Sequence, residues 1–293
     1  MPANSLSITE ALDTAIKQLH SSDTAKLDSE ILLLQVLNKT VHPPLTKTWL
    51  LTWPEKTLTA KQIQQYNHDL NLRESGMPIA YITGTKDFWT FSLKVNSHTL
   101  IPRPETELLV ESALEKISST EETHILDLGT GSGAIALAIA SERPLSQVLA
   151  TDISHDALEI AEKNASNLKL KNINFLPSHW FDAIIKNSDI EKFDIIISNP
   201  PYIAEDDPLL EENVRIFEPT QALISNDKGL NDIKQIIKNS VDYLKPEGWL
   251  FFEHGHTQAN EVQTLLKTYS FDKITTINDL NHHPRVTFAQ FYY

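Results

Sequence analysis

The pattern of apolar and polar positions divides the chain in two. Through the first 75 residues it reads as helices. "SITE", Ser7 to Glu10, has the spacing of a capping box, and the helix it opens runs to about His20. "LDSEILLLQVLN" is apolar enough to be a buried helix, and "TWLLTWP" reads as a short helix stopped by Pro54. "TAKQ", Thr59 to Gln62, repeats the capping spacing and opens a helix to about Glu74. Short connections make these segments a small bundle, placed at residues 1–80. Across residues 81–100 the pattern changes. Phe88, Trp89, Phe91, Leu93 and Val95 partly alternate, so this stretch is read as a β-hairpin linker, although no strong turn signal joins its runs.

From residue 101 to 293 strands and helices alternate. The strands are "HILDLG", "QVLATD", "INFLP", "FDIIISNP", "GWLFFEHG" and two more near 273–278 and 285–292. The helices are "PETELLVESALEKI", "AIALAIASE", "DALEIAEKNAS", "LNDIKQIIKNSVDYL" and "QANEVQTLLKTY". This order predicts an α/β domain, a seven-stranded and mostly parallel sheet with helices on both faces. In such sheets a ligand sits at the carboxyl ends of the strands, beside the topological switch point.

Composition narrows the chemistry. The chain has no cysteine, which excludes disulfides, thiolate catalysis and zinc–thiolate sites and fits a reducing compartment. "MPANSLSITEALDTAIKQLH" has no basic flank followed by an apolar core, and no apolar run approaches the roughly 20 residues of a membrane span. A cytoplasmic protein without a membrane partner is expected. His282 and His283 lack a third ligand, so no metal site is expected. Net charge is −14, and its placement matters. Residues 1–100 hold nine Lys+Arg and nine Asp+Glu, so the whole acidic excess lies in the last two-thirds. A phosphate backbone needs clustered cations, and that half has the wrong sign, so no nucleic-acid partner is expected. No exposed heptad or edge strand asks for a second copy, and a monomer is expected.

Two stretches carry candidate chemistry. "ILDLGTGSGAIALAIA" places Gly129, Gly131 and Gly133 between a strand and a helix, where glycines let a ligand approach a helix N-terminus. Asp152 ends the next strand, where an acid can bind the two hydroxyls of an adenosine ribose. The loop alone does not decide between a nicotinamide cofactor and S-adenosylmethionine. Asp127 favours the second, since a carboxylate there could receive a cationic methionine end but would repel a pyrophosphate. The other stretch is "FDIIISNPPY". Two prolines forbid the strand from continuing, so Asn199-Pro200-Pro201-Tyr202 is a stiff loop at a strand end. The Asn199 side-chain carbonyl and the Pro200 backbone carbonyl form an acceptor pair for a planar NH₂ group, and Tyr202 offers an aromatic face. Two acceptors pulling on both N–H bonds favour a more pyramidal nitrogen with its lone pair available, so positioning and electrostatics carry the catalysis.

"DLGTGSG" with "NPPY" resembles the amino-methylating class I methyltransferases. "PIAYITGTKDFW", "LIPRPETE", "HWFDA", "FEPTQAL" and "GWLFFEHG" narrow the resemblance to the peptide chain release factor glutamine N5-methyltransferase family, HemK/PrmC. The motifs run from about residue 45 to 287. The resemblance implies a Rossmann-like methyltransferase sheet over residues 101–293 and a substrate-recognition role for the helical domain. It implies methyl transfer from S-adenosyl-L-methionine to the glutamine amide of the Gly-Gly-Gln motif of class I release factors, leaving S-adenosyl-L-homocysteine. Carried over residue by residue, Gly129, Thr130, Gly131, Ser132, Gly133, Asp152, Trp180 and Asn199 bind the cofactor. Asn199, Pro200, Pro201 and Tyr202 hold the glutamine amide, with Asn199, Pro200 and Tyr202 catalytic. Arg103 and Glu107 lie near the cofactor or substrate mouth. The chain departs from the family at His179, where an acid usually receives the adenine amino group, and at "RVTFAQ" near the end. Two other functions compete: a nucleic-acid amino (adenine or cytosine) methyltransferase, against which the acidic catalytic half counts, and a silent cofactor-binding interaction module, against which the intact Asn199–Tyr202 stretch counts.

The remaining candidates weigh differently. Glu253 and His254 end the fifth strand and read as structural rather than as a catalytic pair. "FEP", Phe217 to Pro219, is read as an ordinary loop sooner than as a substrate contact. The acidic run "AEDDPLLEEN" after Tyr202 is read as a solvated loop, with a border of the substrate channel as its functional alternative.

Overall fold

The computed structural model describes residues 6–185, 192–208 and 210–292. The first five residues and Leu209 of the acidic run lie outside the described residues. The chain forms two compact units, Met1–Gly84 and Thr85–Tyr293.

The first unit contains α1 (Ile8–Gln18), α2 (Ala25–Asn38), α3 (Lys47–Thr52), α4 (Ala60–Glu74) and α5 (Ile79–Thr83). Both capping boxes form. Ser7 Oγ accepts from the Glu10 N–H while Glu10 accepts from the Ser7 N–H, and Thr59 and Gln62 do the same. Ile8, Leu19, Leu32, Leu33, Tyr66 and Leu70 build the core of this unit. Two long-range polar links cross this core. The Tyr66 hydroxyl donates to the Ser29 carbonyl at 3.0 Å, and Arg73 meets Asp28 at 2.7 Å. Helix α5 has no counterpart in the sequence reading. Five residues between Pro78 and the left-handed Gly84 are too few to show a helical period.

The second unit opens with a hairpin, β1 (Thr85–Phe88) and β2 (Phe91–Lys94), followed by α6 (Glu105–Leu114). The compact second unit therefore includes the hairpin, whereas the sequence reading set it apart as a linker. Its Trp89-Thr90 turn lacks turn residues; the Trp89 N–H is instead held by the Glu107 carboxylate at 2.9 Å. Then come β3 (His124–Leu128), α7 (Ala134–Glu142), β4 (Gln147–Asp152), α8 (His155–Leu168), β5 (Ile173–Pro177), α9 (Asp182–Ile185) and β6 (Phe193–Ser198). The short α10 (Glu212–Phe217) and α11 (Asn226–Gly229) precede α12 (Asn231–Tyr243), β7 (Leu244–Glu253), α13 (Ala259–Thr268), β8 (Phe271–Asn278) and β9 (Pro284–Phe291).

The seven strands β3 to β9 form one sheet in the order β5-β4-β3-β6-β7-β9-β8, parallel except for β9. Its central strands are apolar on both sides because both faces are covered. Ile125, Ile195 and Ile197 pack with α6 and α7 on one face, while Leu126, Phe193 and Ile196 pack with α12 and α13 on the other. Among the described residues no helix is long and apolar enough to cross a membrane.

Candidate active site

The chain leaves β3 towards β4 and β5, then returns to place β6 on the other flank of β3. That reversal opens a crevice at the carboxyl ends of β3 and β6. Leu128 and Ser198 face each other there in register, and the Ser198 hydroxyl donates to the Leu128 carbonyl at 2.7 Å. The next residues on the two strands are Gly129 and Asn199, so the topology alone brings the two sequence motifs together.

The glycine loop folds over its own acids. The N–H groups of Gly129 and Thr130 both donate to the Thr151 carbonyl, at 2.9 and 2.8 Å. Asp152 accepts from the Gly131 N–H at 2.8 Å through one oxygen and from the Ser154 N–H at 2.9 Å through the other. A side chain at Gly131 would meet open space, but its φ of +55° is a left-handed conformation that glycine adopts freely. At Gly133 the constraint is packing as well, since a Cβ would lie 2.8 Å from Leu137. Asn164, on α8, clamps the loop from behind. Its amide donates to the Ser132 carbonyl at 2.9 Å and exchanges two hydrogen bonds with the Lys94 backbone on β2. Asp127 is fully buried and does not line the crevice. One of its oxygens accepts from the Thr130 hydroxyl at 2.6 Å, and Oδ1 has no partner. Burial pushes its carboxyl up to about 7 against the stabilising Thr130 bond, with Asp152 adding repulsion.

The Asn199–Tyr202 loop is braced at four points. Asn199 Nδ2 donates to Thr106 Oγ1 at 3.3 Å, and Thr106 donates to Glu253 Oε2 at 2.7 Å. The Tyr202 hydroxyl donates to Glu253 Oε1 at 3.1 Å. The Tyr202 carbonyl accepts from Gln258 Nε2 at 2.9 Å, and the same nitrogen holds the Lys228 carbonyl. Gly229 passes so close that a Cβ would sit 2.0 Å from the Tyr202 carbonyl oxygen. Burial raises both the Tyr202 phenol and the Glu253 carboxyl above their ordinary values. His254 turns away from Glu253. Its ring meets the Thr287 hydroxyl and the Gly255 carbonyl, and burial lowers its pKa. Adjacent residues of a strand point to opposite faces, which separates this pair.

Two cavities meet at Asn199. The first, about 410 Å³, is lined by Gly129, Gly131, Asp152, Trp180, Asn199 and Pro201, with Ile153 and Asp232. Trp180 lies against Gly129, and its indole N–H donates to Asp232 at 3.2 Å. His179 also lines this cavity, half exposed and 3.7 Å from Asp182. The second cavity, about 740 Å³, is lined by Arg103, Asn199, Tyr202, Glu253, Gln258 and Arg285, and by Asp207 and Glu211 of the acidic run. Arg103 is anchored by buried Glu218 at 2.5 Å, and the second Glu218 oxygen accepts from the Ile101 N–H. The "LIPRPETE" and "FEP" stretches thus meet.

Of the residues singled out in the sequence, Thr130, Ser132, Gly133, Pro200 and Glu107 line neither cavity; Glu107 holds the hairpin turn. Among the described residues no cluster of metal-ligating side chains forms. Thr106, Asn164, Asp232 and Gln258 had no signal in local spacing, because each meets its site partner 32 to 147 residues away.

Fold and crevice define a methyltransferase. Residues 119–281, more than half of the chain, match the family described as Methyltransferase domain, and residues 10–84 match the PrmC N-terminal domain. A solved methyltransferase from Pyrococcus furiosus shares the fold, with a TM-score of 0.51 and 14% identity over 69% of this chain and 89% of that one. The release factor glutamine methyltransferase of Shewanella oneidensis is 43% identical over 97% of this chain and 96% of its own length. That of Escherichia coli K12 is 42% identical over 96% and 98%. The chain belongs to the release factor glutamine methyltransferase family.

Proposed function

We propose that this protein transfers a methyl group from S-adenosyl-L-methionine to the side-chain amide nitrogen of the glutamine in the Gly-Gly-Gln motif of class I release factors. The observation that carries the proposal is the position of Asn199, which lines both cavities at the sheet's switch point. One residue is then shared between a cofactor site and an acceptor site, as direct transfer requires.

The first cavity suits the cofactor. Asp152 keeps lone pairs for two ribose hydroxyls after accepting from Gly131 and Ser154. Ile153 and Trp180 supply apolar and aromatic surface for a purine. Asp127 lies buried behind the loop and outside the cavity lining, so it favours a cationic ammonium group through its charge and not by contact. When bound, the cofactor supplies a methyl already activated by a sulfonium. The chain's own work is to hold the acceptor. Asn199 Oδ1 and a backbone carbonyl of the Asn199–Tyr202 loop take the two amide hydrogens, Tyr202 covers the flat amide, and the surplus proton leaves after transfer. The acidic rim of Asp207 and Glu211 repels phosphates and draws in a basic protein tip. The helical first unit recognises the substrate beyond its glutamine, a role supported by its match to the PrmC N-terminal domain. The protein works as a cytoplasmic monomer without nucleic acid, and the acidic excess of the last two-thirds supports the last of these.

Mass spectrometry of a purified release factor incubated with the protein and S-adenosyl-L-methionine tests this. One added methyl on the Gly-Gly-Gln glutamine is expected, with turnover reduced about a hundred- to a thousandfold in Asn199→Ala. Methyl transfer to a nucleic-acid amino group instead, or near-normal turnover in the variant, would refute it.

A further inference from the structure

An asparagine amide has the same shape either way round, so its environment must decide which end faces a ligand. Asn199 acts as an acceptor only if its oxygen faces the cavities. We propose that Thr106 and Glu253 form a hydrogen-bond relay that turns the Asn199 oxygen towards the junction of the cavities, making them positioning residues for transfer. The inference rests on the acceptor role given to Asn199 above.

The relay has one consistent direction while Glu253 is ionised. A carboxylate has no proton to give, so the single Thr106 proton points at Glu253 Oε2, 2.7 Å away. A Thr106 lone pair therefore remains for Asn199 Nδ2, at 3.3 Å. The amide nitrogen is thereby turned inward and Oδ1 outward. The Tyr202 hydroxyl donates to the other Glu253 oxygen at 3.1 Å, which keeps the carboxylate from rotating. Thr106 is 3% and Glu253 1% exposed, so bulk water does not substitute for either link.

Protonating Glu253 at Oε2 reverses the relay. Glu253 then donates to Thr106, Thr106 donates to Asn199, and the amide turns its NH₂ towards a substrate that also presents NH₂. Two donors facing each other give no hydrogen bond. The groups that set this titration are named by the surroundings. Burial, the largest influence, and Glu105 favour the neutral acid; Thr106, Tyr202 and Arg285 favour the ionised form. Turnover is therefore present above the Glu253 titration and lost below it.

The test uses the full-length enzyme, a purified release factor and S-adenosyl-L-methionine, with kcat and both KM values measured across pH. Thr106→Val should lower kcat about 10- to 100-fold with both KM values nearly unchanged. Thr106→Ser, which keeps the hydroxyl, should restore it. The acid limb of wild type should be absent in Thr106→Val, and adding Glu253→Gln to that variant should cost little more, since the relay is already cut. Melting temperatures check that Thr106→Val is folded; if it is not, Thr106→Ala takes its place, impaired in kcat where Thr106→Ser is active. Wild-type kcat in folded Thr106→Val or Thr106→Ala, the same acid limb in that variant, or equal loss in Thr106→Ser would overturn the relay alone. Absence of glutamine methylation by wild type, or full activity in Asn199→Ala, would instead remove the functional reading and the relay with it.

Discussion

Replacing Asp127 with asparagine should make the cofactor-free protein more stable and the cofactor-binding site weaker. In the folded chain burial holds this carboxyl at about 7, against an ordinary value of 3.8. The unfolded chain thus loses the proton from about pH 4 upward, while the folded chain keeps it until about pH 7. The folded state binds more protons across that window, so stability falls as pH rises through it and levels off above. The slope is about 1.4 kcal/mol per pH unit, so this group removes about 1.4 kcal/mol between pH 6 and pH 8. Asp127→Asn keeps an acceptor for the Thr130 hydroxyl and carries no charge. Its advantage over wild type should therefore grow by about 1.4 kcal/mol from pH 6 to pH 8. In a unit of about 200 residues that is about 3–6 °C in the melting temperature. Calorimetry without cofactor at the two pH values, both above the isoelectric point of about 5.2, reads the difference directly. Titration with S-adenosyl-L-methionine should show about tenfold weaker binding, the loss of one negative charge behind the loop. An advantage equal at pH 6 and pH 8 would refute the reasoning, because it would mean that Asp127 does not titrate in the folded state within that range.

Gly229→Ala should lower turnover at least tenfold and destabilise the protein by about 1–3 kcal/mol, because the new Cβ has 2.0 Å to the Tyr202 carbonyl; cofactor titration should be little changed, and parallel loss of both would place the damage beyond the Asn199–Tyr202 loop. The double reversal Asp207→Lys with Glu211→Lys should raise KM for the release factor several-fold, leave cofactor affinity intact and lose its effect at high salt; a salt-independent KM would remove the rim from substrate capture.

What was legible in the sequence follows from how far each interaction reaches. The boxes Ser7–Glu10 and Thr59–Gln62 close over three residues, so their spacing is written locally. Strands β3 to β7 were legible because each sits between helices, and β8 and β9 because they follow the last helix with partly alternating apolar positions. Helices α5, α10 and α11 are too short for a period to appear. The hairpin turn was obscured because a distant carboxylate, Glu107, stands in for turn residues at Trp89. The two motifs at Gly129 and Asn199 were found because each sits at the end of a strand, and the sheet order joined them. The partners that hold those motifs were not found. Thr106 reads as one more residue in the first turn of a helix, and its link to Glu253 spans 147 positions. Glu253 and His254 are adjacent in sequence, yet the strand sends them to different partners.

The Asn164 side chain ties the glycine loop to strand β2 of the hairpin through three hydrogen bonds. The two segments therefore share one conformational equilibrium rather than having one each. Thermodynamic reciprocity follows. Whatever free energy a ligand at the loop spends on ordering the hairpin, a macromolecule that grips and orders the hairpin returns as tighter binding at the loop, by the same factor. A single amide on α8 is thus enough to let occupancy at the hairpin and at the glycine loop report on one another.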